Sequence, residues 1–265
     1  MGRCRVPADI TRLELRLRRR SAIGYAAGMA LYTLVVVALY PSFKDSASLN
    51  SLSGSTAAAL FGISGQLTSP GGWLNANVYV NFFPLIMLLL TIGYGAACLA
   101  GQDEDGTLAL MAALPIRRPA IVLQKAWAMT FQALLLAAAV TACVLAGRGF
   151  QLAVAPGNAV AVAVALTLAG LDFGLIAMAA GAATGRRGTA LGIGAGLAAA
   201  SYLLSSLATT ITAIRPGRYL SLLYWSVGND QISSGVSIAD FAVLVAVGLC
   251  ALLAAVAAFR RADLN

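Results

Sequence analysis

The sequence contains no histidine and little charge: charged residues make up 11% of its 265 residues, whereas hydrophobic residues make up 60%. Histidine is the commonest general base and metal ligand, so its absence removes most of the support for hydrolase chemistry. The four cysteines, Cys4, Cys98, Cys143 and Cys250, show no paired spacing. All but Cys4 fall within or at the end of apolar runs. A thiol in such a run behaves as a small hydrophobe. We therefore expect no disulfide and no metal site.

Nucleotide-binding and catalytic motifs are also missing. No G-x-x-x-x-G-K-[ST] phosphate loop occurs, and residues 192–197, GIGAGL, lack the last glycine of a dinucleotide loop. No serine lies in a G-x-S-x-G turn with a usable base. The basic residues are not gathered on a polar face with aromatics between them, which argues against nucleic acid as a partner. We expect no catalytic residue and no bound cofactor on this chain.

Long apolar runs dominate what is present, and the mean hydropathy is +0.84. A run of about 18 or more apolar residues can cross the hydrocarbon core of a membrane as a helix. Six such runs predict spans near 22–40, 78–100, 121–146, 158–183, 189–213 and 237–259. The first run is followed by no A-x-A cleavage pattern, so we expect it to be retained. The predicted fold class is an all-α integral membrane protein, with residues 22–265 as one transmembrane domain.

The basic residues predict the orientation of these spans. Fourteen of the 18 lysines and arginines fall at the two termini, in residues 101–125 and in the 184–188 turn. The positive-inside rule then places both termini and these segments in the cytoplasm of a multi-pass plasma membrane protein.

Residues 8–20, ADITRLELRLRRR, place Ile10, Leu13 and Leu17 at helical spacing among arginines. This pattern predicts a cytoplasmic amphipathic elbow helix over residues 1–21 that lies along the membrane lipid. The alternative is a solvated basic tail.

Glycines recur at every fourth position in three of the predicted spans: Gly24 and Gly28, Gly170 and Gly174, and Gly188, Gly192 and Gly196. Small residues at this spacing allow helices to approach closely, and the run of three is the best candidate for a packing face. The alternative is simple abundance in a chain with 27 glycines.

Asp172 is the one ionisable residue deep within a predicted span. Carboxylates at this depth are costly and usually face the bundle interior, which makes Asp172 a candidate for the translocation pathway. A structural role, with a protonated or hydrogen-bonded carboxyl group, is the alternative. On the other side of the membrane, Tyr219, Tyr224 and Trp225 predict an interfacial segment over residues 214–236 that either dips into the bundle or lies flat.

Residues 101–119, GQDEDGTLALMAALPIRRP, join the second and third predicted spans. Three acids precede a short apolar helix that stops at Pro115, and two arginines follow it, so both poles of the helix dipole are complemented. A short loop would suffice to join the spans. An amphipathic helix with exposed leucines therefore indicates a docking partner, unless it packs on its own bundle.

Residues 104–108, EDGTL, followed by 113–117, ALPIR, resemble the E-x-G-T-L-E … A-L-P-[VI]-x-R segment of membrane subunits in the type-two ABC exporter permease family. Four further segments are similar to motifs of that family and occur in the same order: residues 12–21, 67–75, 184–188 and 259–264. Each motif is modest alone, but the five together cover nearly the whole chain.

The resemblance implies a permease that pairs as a homodimer or with a related subunit. Separate ABC ATPase subunits, which hold ATP and Mg²⁺, would grip its cytoplasmic coupling helix. The coupling positions carried over are Glu104, Gly106, Thr107, Leu108, Leu114 and Pro115. Ala109 stands where the family has glutamate. The closest branch exports antibiotics and other amphipathic small molecules. The competing hypotheses are a proton-coupled secondary transporter that uses Asp172, and a membrane scaffold that transports nothing.

Overall fold

The computed structural model describes residues 9–46, 67–107, 117–210, 212–228 and 231–261. In these ranges all regular secondary structure is helical, and six helices are long and apolar enough to cross a membrane. Spans one to six are, in order, Ile10–Phe43, Pro70–Glu104, Arg118–Phe150, Pro156–Thr184, Arg187–Leu207 and Ile238–Arg261. The predicted all-α fold with six spans is confirmed.

The two ends of the bundle differ in charge. At one end, here called the basic end, span one begins, spans two and three are joined, spans four and five are joined, and span six finishes on Arg260 and Arg261. The other end, here called the opposite end, carries the links between spans one and two, three and four, and five and six.

Span four lies at the centre of the bundle and contacts spans two, three, five and six. Its closest neighbour is span two: a Cβ atom added to Gly174 would lie 2.9 Å from the backbone oxygen of Thr91, and one added to Gly95 would overlap the carbonyl oxygen of Gly174. Gly170 faces Met87 in the same way. The predicted packing face at Gly170 and Gly174 is therefore confirmed, because only hydrogen side chains permit this approach.

The other predicted glycine faces are open. A Cβ atom at any of five positions would meet no described atom within 4 Å: Gly24, Gly28, Gly188, Gly192 and Gly196. Within this chain, the run of three glycines in span five is therefore not a packing face. It lies on the outer surface of the bundle.

Span one differs from the predicted division at residue 21. Asp9–Phe43 is one continuous α-helix of 35 residues. At about 1.5 Å per residue it is roughly 50 Å long, about 20 Å more than the hydrocarbon core needs. No glycine or proline interrupts residues 9–23, so nothing in the local sequence breaks the helix where the elbow was expected to end. Residues 9–21 thus continue the helix of span one, and residues among them bond to the start of span three at the basic end.

Span two departs from α-helical winding at two places. It begins as an α-helix at Pro70, capped by Ser69, whose Oγ accepts a hydrogen bond from the Gly72 amide at 3.1 Å. Residues Asn75–Phe82 and Ala97–Gly101 are π-helical, and Phe83–Ala96 between them is α-helical. In the first π-helix the side-chain Nδ2 of Asn81 donates to the backbone carbonyl of Ala76 at 2.8 Å. Such wide turns are often found at functional sites.

The segment between spans five and six dips into the bundle and does not lie flat. Its helix Leu222–Val227 packs against spans four, five and six, and it begins at Ser221, whose Oγ accepts from the Tyr224 amide at 3.2 Å. Ser221 and Ser226 are fully buried.

Candidate functional site: a cleft and a coupling segment

A cleft opens between spans two and five. Its volume is about 540 Å³, and it extends from Val80 in the first π-helix to Gly93 in span two, facing Leu191 and Tyr202 in span five. The polar side chains among its lining residues are Asn81 and Tyr202, and the Tyr202 hydroxyl donates to Asn81 Oδ1 at 3.2 Å. The remaining lining residues are apolar.

The cleft has the size and chemistry of a site for an amphipathic compound. Small-molecule sites typically enclose about 300–1,000 Å³, with mostly apolar walls and a few polar groups that fix orientation. The described lining carries no charged side chain, so an ion would lose its hydration here without a partner. The Asn81 and Tyr202 pair could instead exchange its internal hydrogen bond for one to a ligand.

Asp172 lies elsewhere. It is 1% exposed, and its Oδ1 lies 2.6 Å from where a Cβ of Gly248 would be, so the carboxyl group rests on the backbone of span six. Its Oδ2 has no hydrogen-bond partner among the described residues. Gly170 and Gly174, on either side of it in sequence, face span two. Asp172 therefore does not line the cleft.

The described part of the coupling segment turns back onto its own chain. Glu104 Oε1 accepts a hydrogen bond of 2.9 Å from the amide of Arg187, where span five begins. A carboxylate at a helix N-terminus satisfies a free amide and complements the helix dipole. Gly106 has φ +68°, in the left-handed region that favours glycine, and the Thr107 hydroxyl donates to the carbonyl of Gln102 at 3.2 Å.

The predicted coupling positions are thus only partly placed. Glu104, Gly106 and Thr107 adjoin the end of span two and the start of span five. Leu108, Leu114 and Pro115 lie outside the described residues.

A buried ion pair beside this segment was not predicted. Lys125 is fully buried, and its Nζ donates to Glu14 Oε1 at 2.7 Å and to Gln102 Oε1 at 2.6 Å. Sequence reasoning counted Lys125 only as one more basic residue flanking a span. The available signal was its position, seven residues inside the helix that begins at Arg118. Glu14 was equally visible, as the single acid between Thr11 and Ser21 in an arginine-rich run.

At the opposite end, the predicted aromatic residues form one cluster. The ring centroids of Tyr219, Tyr224 and Trp225 lie 5.6–5.8 Å apart in all three pairs. The Arg218 guanidinium stacks 4.9 Å from Tyr219 and 5.0 Å from Tyr224. Arg218 also donates to the Tyr219 hydroxyl at 2.9 Å, and because a guanidinium is not deprotonated in proteins, the cation over these rings is permanent.

Six membrane-length helices, with an apolar cleft between two of them, define a multi-pass membrane protein. A family model described as ABC-2 family transporter protein matches residues 8–264. The chain therefore belongs to the ABC-2 transporter family and is a transmembrane permease subunit of an ABC transporter. A search of the curated proteins found no match. The family implies association with ABC ATPase subunits and does not favour a proton-coupled secondary transporter.

Proposed function

We propose that this chain is the permease of an ATP-driven exporter, which moves a drug, antibiotic or lipid-like amphipathic compound across the plasma membrane. The observation that carries the proposal is the apolar cleft between spans two and five. Both helices that form it reach the basic end, where Glu104 of span two is bonded to the first residue of span five. A force applied to the coupling segment would therefore act on both walls of the cleft.

The cleft favours an amphipathic substrate. Its apolar walls would bind the hydrocarbon part, and the Asn81 and Tyr202 pair would bind one polar group. Access from the lipid suits such compounds, because the cleft lies between two spans and is not enclosed at the centre of the bundle.

The basic end is assigned to the cytoplasm, where the ATPase subunits are. The arginines that flank it follow the positive-inside rule. We assign contact with the ATPase to Glu104, Gly106, Thr107, Leu108, Leu114 and Pro115. The positive φ of Gly106 supports a sharp turn of the backbone directly after span two, at the start of these positions.

A second permease subunit, identical or related, would complete the translocation pathway. The open glycine face of span five supports this pairing, since Gly192 and Gly196 have no described neighbour within 4 Å. Small residues at this spacing are typical of close helix contacts in membranes.

The coupling assignment is tested by replacing Leu108 and Leu114 with aspartate and measuring copurification of the ATPase. We expect insertion to be retained and the ATPase to be lost, because two charges would enter an apolar contact. Leu220→Asp is the matched control, since Leu220 is 81% exposed and lies at the opposite end. Retention of both the ATPase and transport by the double variant would refute the assignment.

A further inference from the structure

Three separate parts of the chain meet at one buried polar cluster at the basic end, here called the polar clasp: Glu14 from the span-one extension, Gln102 from the end of span two and Lys125 from the start of span three. Lys125 Nζ bonds to Glu14 Oε1 at 2.7 Å and to Gln102 Oε1 at 2.6 Å. The third hydrogen bond of the clasp joins the other two residues: Gln102 Nε2 donates to Glu14 Oε1 at 3.0 Å.

The two charged groups of the clasp are shielded from water, whereas Gln102 is half-buried. The side chain of Lys125 is 0% exposed and that of Glu14 is 3% exposed. One further cation approaches it: Arg18 Nε lies 3.6 Å from Glu14 Oε2, and its guanidinium stacks 4.6 Å from the ring of Tyr94. An ion pair this deeply buried is seldom retained for stability alone, because an apolar pair of similar volume often serves as well or better.

A second set of hydrogen bonds joins two of the three clasp helices, span one and span three. The Ile10 amide donates to Gln124 Oε1 at 3.2 Å, and the Thr11 hydroxyl donates to the Gln124 carbonyl at 3.0 Å. The first turn of the span-one helix is therefore bound to the start of span three at several points.

The position of the clasp in the chain connects both ends of the coupling segment to span one. Gln102 lies two residues before the coupling positions 104–115 and Lys125 lies ten residues after them, and Glu14 is bonded to both side chains. Moving Lys125 away from Glu14 would leave two buried charges unpaired, which is strongly unfavourable, and moving Gln102 away would break its hydrogen bonds to both groups. Since Asp9–Phe43 is one helix, a displacement of Glu14 is carried into span one.

We propose that Glu14, Gln102 and Lys125 are positioning residues for energy coupling: the clasp transmits movement of the coupling segment to span one. This inference rests on the proposed function and adds a component to it. Span one has no part in the described lining of the cleft between spans two and five, so the clasp gives the ATPase a second route into the bundle.

The test separates transmission from stability by using two replacements of the same pair. Glu14→Gln/Lys125→Met removes both charges and leaves an uncharged, well-filled contact. Glu14→Lys/Lys125→Glu, made together with Arg18→Gln so that no like charge faces position 14, restores an ion pair with reversed polarity, which Gln102 can accept because its amide both donates and accepts. Arg16→Gln is the control, since Arg16 is exposed on the same helix. Each variant is purified with its ATPase, and thermal stability, ATP hydrolysis and transport of a fluorescent amphipathic dye into inverted vesicles are measured.

We expect the uncharged double variant to keep wild-type stability and ATPase binding while its transport per ATP hydrolysed falls about tenfold, within the usual range of coupling between sites. The reversed pair should recover most of that ratio, and Arg16→Gln should not change it. A wild-type ratio in the uncharged variant would overturn the proposal. So would a reversed pair that is stable but stays uncoupled.

A variant that leaves the ion pair intact protects the test against misfolding. Gln102→Leu removes only the bridging amide, and we expect it to lower transport per ATP at unchanged stability. An unchanged ratio there would overturn the inference. Failure of the proposed function would look different, because the wild-type chain would then bind no ATPase or would move no dye with ATP.

Discussion

Replacing Gly95 with alanine should loosen the contact between spans two and four. The added methyl group would overlap the carbonyl oxygen of Gly174 and would lie 3.2 Å from the amide nitrogen of Met178. These are backbone atoms that cannot rotate away, so the two helices must separate along a contact that extends from Met87 to Gly95. Span four is the central helix, and its other neighbours would lose contacts with it.

The size of the effect follows from two opposing contributions. Overpacking a tight contact costs typically about 1–3 kcal/mol of unfolding free energy. Alanine regains up to about 1 kcal/mol over glycine in a helix interior. The net loss is about 1–2 kcal/mol, which corresponds to a fall in melting temperature of about 3–6 °C for a chain of this size.

Gly93→Ala is the matched control, because Gly93 lies two residues away in the same helix and a Cβ there would meet no described atom within 4 Å. It retains the gain in helix propensity without the overlap, so its melting temperature should equal or exceed that of the wild type. Thermal unfolding of detergent-solubilised protein, followed by size-exclusion chromatography, measures both variants. A Gly95→Ala protein that melts at or above Gly93→Ala would refute the packing argument.

Three further predictions test orientation, Asp172 and the cleft. In a cysteine-free background, Asn50→Cys should react with an impermeant thiol reagent on intact cells and Asp105→Cys should not; the reverse pattern would invert the membrane orientation. Asp172→Asn should keep ATP-dependent export in vesicles without a proton gradient, whereas Asp172→Leu should lose about 1–3 kcal/mol because its branched end is too wide for the space beside span six. Loss of export on adding an uncoupler at constant ATP would contradict this expectation. Ala195→Phe should fill part of the cleft and lower dye transport with ATPase binding unchanged, and Leu134→Phe, on the exposed face of span three, should leave transport intact; equal transport by both would argue against the cleft as the pathway.

The spans could be predicted because hydropathy acts on each segment separately. Their predicted bounds fall short mainly where polar residues continue a helix past the apolar run, as at Gln102–Glu104 of span two. The elbow boundary differed for the same reason. An arginine-rich sequence can form a separate helix or continue a span, and its contacts with Gln124 and Lys125 are made to another helix.

Parts of the candidate site that depend on a single residue can be read from the sequence, and parts that depend on contacts between helices cannot. Gly106 was named only through the family resemblance, and its positive φ is a property of a single residue that glycine adopts readily. The clasp could not be predicted, since it depends on which faces of three helices meet, and a flanking lysine and a buried lysine look alike in sequence. The glycine repeats show the same limit: Gly174 packs tightly and Gly192 does not, although both have the same four-residue spacing.

The continuity of span two has a consequence for how members of this family could be recombined. One unbroken helix carries the wall of the cleft from Val80 to Gly93, the tight crossing at Gly95 and the clasp residue Gln102 near its end. A chimaera that takes span two from another member to change the substrate also takes its counterparts of Gly95 and Gln102. Their partners, Gly174 in span four and Glu14 and Lys125 in spans one and three, remain those of the recipient. Exchange of spans two and five together keeps the cleft as a unit, but spans one, three and four must come from a parent whose residues match the imported crossing and clasp.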